Sequence, residues 1–160
     1  MSMQQYDKGT MLKEIKASVE ESVDFRKDIS DEELLDIIAR LVFEKSRRYF
    51  MTMAEKRESI EAIFNSMRRL DILQPVLDDA SVTEIMINGA DNIFIERNGR
   101  ISKMEVGFES REKLEDVIQS IVSKANRMVN EASPIVDARL ADGSRVNVVL
   151  QPVAINGPIM

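Results

Sequence analysis

The chain has 160 residues, 44% of them apolar and 31% charged, with a net charge of -6 and a pI near 4.9. That is enough apolar chain to bury a core. The acidic balance argues against a general nucleic-acid binder, which carries a basic footprint, and no run approaches the roughly 18 apolar residues of a membrane span. Zero Cys excludes disulfides and thiol chemistry, and zero His removes the commonest general base and metal ligand, so only carboxylates, Lys, Tyr, Ser and Thr remain as catalytic candidates.

Residues 1–9 are polar and read as a frayed end. They hold no apolar segment of the signal-peptide kind, so a cytoplasmic location is expected. From Thr10 a helix is predicted, with Leu12, Ile15, Val19 and Val23 as a narrow stripe at three- and four-residue spacing. Ser30-Asp31-Glu32-Glu33 is a capping box opening a second helix, with Leu34, Leu35, Ile38, Leu41 and Val42 on one face. Thr52-Met53-Ala54-Glu55 repeats that logic for a third helix, with Ile60, Ile63, Phe64, Met67 and Leu70 as its stripe. Three amphipathic helices imply a small bundle over residues 1–69. Lys45, Arg47, Arg48, Lys56, Arg57, Arg68 and Arg69 cluster near helix ends; they read as a solvated face complementing the helix dipoles, or as a surface for an acidic partner or a membrane.

Pro75 stands near the start of a short helix in LDILQPVLDDA, and a subdomain boundary is placed at about Leu70, with residues 70–160 as a second unit. There the periodicity becomes strand-like. Residues 81–88 and 92–97 are β-rich, Asn98-Gly99 is a strong hairpin signal, and residues 101–106 make a third strand of a meander. No GxxxxGK[ST] or GxGxxG pattern occurs, so these glycines are turn residues rather than a phosphate loop. Ser110 caps a long helix with Leu114, Val117, Ile118, Ile121, Val122, Ala125 and Met128 on its apolar face, which must pack on the sheet. The fold class is therefore α+β: a three-helix subdomain, then an antiparallel meander and hairpin against one long helix.

The most informative stretch is SPIVDARLADGSRVNVVL, residues 133–150. A two-residue loop would set Leu140 opposite Arg145. A three-residue loop with Gly143 in the left-handed conformation pairs Leu140 with Ser144 and Arg139 with Arg145, and only this register sorts the faces. Val136, Ala138, Leu140, Val146, Val148 and Leu150 then share the buried face, and Asp137, Arg139, Arg145 and Asn147 the other. Two arginines facing each other repel. Either Asp137 neutralises them or they are kept for an anion.

VTEIMINGADNIFIERNGRI together with NEASPIVDARLADGSRVNVVLQPVAINGPIM resembles the N-terminal domain of the CpaF-like ATPases of Flp (Tad) pilus assembly, in the type II/type IV secretion ATPase superfamily. The resemblance runs from about Leu70 to Met160. It implies a continuation past Met160 through another strand and a linker into a RecA-like ATPase domain with the P-loop, absent from these residues. It further implies a homo-hexameric ring binding ATP and Mg between the two domains, inner-membrane platform proteins as partners, no nucleic acid, and a peripheral place at the inner face of the cell membrane. Arg145, in GSRVN, matches a phosphate-contacting arginine; Arg139 is supported by register, with Asp137, Asn147 and Gly143 supporting the pair. On this reading these 160 residues hold no catalytic residue, no metal site and no bound cofactor of their own. Two other readings stand beside it: a protein-interaction or scaffold module in which the arginines merely pair with carboxylates, and a carboxylate enzyme using Asp137 with Glu131 or Asp78 with Asp79.

Overall fold

The computed structural model describes residues 7–23 and 29–160, and the chain divides into two compact units, Met1–Asp71 and Ile72–Met160. In the first unit three helices, α1 (Lys8–Ser22), α2 (Asp31–Tyr49) and α3 (Met53–Arg68), all touch one another. Both capping boxes form as the sequence dictates. The Ser30 hydroxyl accepts from the Glu33 amide at 3.2 Å while the Glu33 carboxylate accepts from the Ser30 amide at 2.9 Å, and Thr52 and Glu55 do the same at 3.2 and 2.7 Å. Each box satisfies amides that the first helical turn leaves without partners.

The apolar stripes differ at their edges from those the sequence suggests. On α1 the buried residues are Met11, Ile15 and Val19, with Val23 just beyond, and Leu12 only partly buried. On α2 they are Leu34, Ile38 and Val42, leaving Leu35 exposed and Leu41 half-buried. A three-helix bundle buries a little over one side chain per turn of each helix, so flanking positions fall on the rim. Residues 1–6 of the expected frayed end lie outside the described residues. Asp7 is the N-cap of α1, accepting from Gly9 at 3.1 Å, so the helix starts before Thr10.

A single 3-10 turn (Asp71–Leu73) runs into the short helix α4 (Gln74–Leu77), whose Pro75 sits in the first turn, where no amide bond is lost. The meander follows as β1 (Val82–Ile87), β2 (Ile93–Arg97) and β3 (Arg100–Lys103), antiparallel in that order. Asn98 and Gly99 both take positive φ, 52° and 74°, the mirror-image turn whose twist suits a two-residue hairpin. Ile85 faces Ile95 and Ile87 faces Ile93 on the core side. α5 (Arg111–Lys124) buries Leu114, Val117, Ile118, Ile121 and Val122 and is the one long helix of this unit among the described residues.

This helix ends earlier than its pattern suggests. Asn126 adopts φ 53°, its amide donates to Ser123 at 2.9 Å, and the Arg127 amide donates to Val122 at 3.2 Å. That pair of bonds with a left-handed residue between is the Schellman stop, so Ala125 is the cap and Met128, 78% exposed, lies outside both helix and core.

The hairpin closes the fold as β4 (Ile135–Arg139) and β5 (Arg145–Val149). The two sheets are joined by residues 158–160. Ile87 and Met160 exchange backbone bonds of 2.7 and 3.0 Å, Gly89 donates to Pro158 at 2.9 Å, and Val149 and Ile159 exchange two more of 2.9 Å. Backbone bonding through this short segment thus ties the hairpin to the meander.

Candidate functional site

The hairpin loop is the three-residue kind. Leu140 donates to Ser144 at 2.8 Å, Gly143 takes φ 90° and donates to Leu140 at 3.0 Å, and Asp142 accepts from the Ser144 amide at 2.9 Å. Only a residue without Cβ takes that φ cheaply. The ladder that follows pairs Asp137 with Asn147, Ala138 with Val146 and Arg139 with Arg145. Val136, Ala138 and Val148 are buried; Asp137, Arg139, Arg145 and Asn147 are exposed. Leu140, Val146 and Leu150 sit at the rim of the buried face, half-buried.

Asp137 and Arg145 meet on the diagonal, Nε to Oδ1 at 3.1 Å and an Nη to Oδ2 at 2.7 Å, a two-donor grip. That hydrogen bonding first, and the charges of Arg145 and Arg139 after it, hold the Asp137 carboxyl below its ordinary value of 3.8. The same contact pushes Arg145 up. Arg139 has no ion pair or hydrogen bond among the described residues, and neither has the Asn147 side chain. Asp137 therefore holds Arg145 and leaves Arg139 without a bonded carboxylate on an open sheet face. A multivalent anion can be gripped by Arg139 directly and by Arg145 in exchange for Asp137, since guanidinium forks match phosphate oxygens as well as carboxylates.

Three acids of the carboxylate-enzyme reading are engaged by other side chains. Asp137 is engaged by Arg145. Asp79 accepts from Ser81 at 2.6 and 2.9 Å and from Arg97 at 2.7 Å, contacts that depress its pKa, Ser81 foremost, whereas a general acid needs one raised. Asp78 accepts from Gln74 at 3.0 Å. Among the described residues no group of three or more acidic side chains is placed to hold a metal ion, and no helix is long and apolar enough to cross a membrane.

What the site defines is an α+β module that presents an arginine pair on an exposed hairpin and has no phosphate loop in its sequence. The family described as type II/IV secretion system protein matches residues 67–156, more than half of the 160, and the chain belongs to that family. An uncharacterized protein of Methanocaldococcus jannaschii is 28% identical over 136 residues, 82% of this chain and 19% of that protein. A putative conjugal transfer protein of Mycobacterium tuberculosis is 24% identical over 92 residues, 54% of this chain and 26% of that protein. The chain thus spans about a fifth to a quarter of these relatives' length. Among solved structures, the VirB11 ATPase of the Brucella suis type IV secretion system, in complex with sulphate, is similar over 50% of this chain and 25% of that one, with 26% identity and a TM-score of 0.44.

Proposed function

We propose that these residues are the N-terminal part of a CpaF-like secretion or pilus-assembly ATPase, cytoplasmic and peripheral at the inner face of the cell membrane, and that Arg139 and Arg145 complete a nucleotide pocket. The reading is supported by family membership and carried by one observation: Arg139 and Arg145 are paired across an exposed hairpin whose nearby carboxylate, Asp137, bonds Arg145 and not Arg139. A bound nucleotide supplies the charge the pair lacks, and Arg139 and Arg145 hold its terminal phosphate oxygens while Asp137 releases Arg145. Magnesium and the reacting phosphate belong with a P-loop domain that follows in the whole protein, within a homo-hexameric ring, and ring closure tracks ATP. The inner-membrane platform of the machine is the partner of that ring.

The test is Arg145→Ala in the complete protein. Turnover per folded ring falls by one to several orders of magnitude, the range that arginine fingers contribute. The melting temperature of this module barely moves, because the side chain lies on the exposed face of the hairpin. A second reading, an interaction module in which Arg145 is structural, is favoured by the formed Asp137 bridge and predicts the reverse: a lower melting temperature with normal turnover.

A further inference from the structure

Where α2 meets α3, large apolar side chains face solvent. Phe50 is 94% exposed, Met53 61% and Phe43 43%, while Met51 between them is buried and anchors the turn. Phe50 also holds φ 47°, a conformation that bulky residues rarely adopt, so the turn keeps the ring off the bundle at the expense of backbone strain. Arg47, Arg48 and Arg57 are exposed and make no ion pair among the described residues, and the Lys56 ammonium stands 4.8 Å from the Phe43 ring centre.

Residues 47–57 carry four cations and one anion, Glu55, within a chain of net charge -6. Glu55 is engaged in its capping box. The dipole of α2 accounts for Arg47 and Arg48 at its C-terminus. Lys56 and Arg57 instead lie near the N-terminus of α3, where cations are disfavoured. Something other than helix electrostatics must favour these two cations beside an exposed aromatic.

We propose that the α2–α3 turn is a membrane-surface contact, with Phe50 and Met53 entering the headgroup boundary of an anionic bilayer and Arg47, Arg48, Lys56 and Arg57 facing the lipid phosphates. Apolar residues at the crest with cations around them are the layout that interfacial binding rewards, apolar burial adding to attraction by anionic lipid. A helical-hairpin end projects rather than forming a groove, which suits a fluid surface better than an acidic protein segment. This inference rests on the peripheral placement proposed above and is independent of the nucleotide reading.

The chain contains no Trp, so Phe50→Trp gives a single reporter in the full chain. With vesicles of phosphatidylcholine containing about one third phosphatidylglycerol, its emission shifts to the blue and is quenched by lipids brominated high in the acyl chain. Co-sedimentation of the unlabelled chain falls about tenfold or more with Phe50→Ser plus Met53→Ser, with Arg47→Glu plus Arg48→Glu, and on raising salt. Circular dichroism of these variants stays unchanged because the altered side chains are exposed. Vesicle binding undiminished by the double serine variant, or no binding of the parent chain, overturns this surface while leaving standing the placement, which the platform can also supply. A blue shift produced by an acidic polypeptide but not by anionic vesicles assigns the turn to a protein partner and also overturns the proposal.

Discussion

A Cβ on Gly107 would stand 2.7 Å from the Ala90 carbonyl oxygen and 3.1 Å from the Asp91 Cα, so the loop before α5 lies flush on the β1–β2 turn. The Phe108 amide donates to that same carbonyl at 2.9 Å. Because the nearest atoms are backbone, no flexible group can yield, and Gly107→Ala is expected to cost about 1–3 kcal/mol, the usual penalty of overpacking. Urea unfolding checks it; a midpoint within error of the parent would show that the loop moves aside freely. Gly143 is the contrast, with nothing within 4 Å of an added Cβ, so only its positive φ constrains it. Sequence alone marked Gly143, because a turn has local chemistry, but not Gly107, whose constraint comes from a turn distant in the chain. The diagonal grip of Asp137 on Arg145 was half legible in the same way: alternation assigns both to one face, yet the choice between a carboxylate and an anion depends on side-chain geometry.

Elements were legible wherever their ends have local rules. Both capping boxes, the Asn98-Gly99 turn and the three-residue hairpin loop follow from residues close together in the chain. The Schellman stop at Asn126 was missed because the apolar spacing runs on to Met128 and nothing in the period announces a left-handed residue. The pairing of residues 158–160 was missed because so short a segment carries no period at all. On α3, Asn65 is 3% exposed and its Oδ1 lacks a partner, the single buried side-chain polar atom so placed among the described residues. An unpaired buried polar group is a stability penalty, so Asn65→Leu, of the same branching, is expected to leave stability unchanged or raise it by about 1 kcal/mol. Calorimetry of the two chains decides: a clear fall in melting temperature would mean that the amide has a role that Leu cannot fill.

At the scale of the whole chain, each unit has buried apolar residues of its own. Met11, Ile15, Leu34, Ile38, Val42 and Ile63 fill one core in the first unit. In the second unit, Ile87 and Ile93 of the meander, Leu114, Ile118 and Val122 of α5 and Val148 of the hairpin are all buried. Each fully buried aliphatic side chain is worth about 1.5–3 kcal/mol, and the second unit's sheets are joined by its own residues 158–160. A segment with its own core and its own backbone pairing is the physical meaning of an independently folding unit. Residues 72–160 alone are therefore expected to melt in one cooperative step and keep the Asp137–Arg145 contact, which depends only on the hairpin register. Limited proteolysis of the full chain should leave a resistant fragment beginning between about residues 69 and 75, because the chain passes there from one core to the other. First cuts inside residues 110–150, or a fragment that melts without cooperativity, would show that the second unit borrows stability from the helices before it.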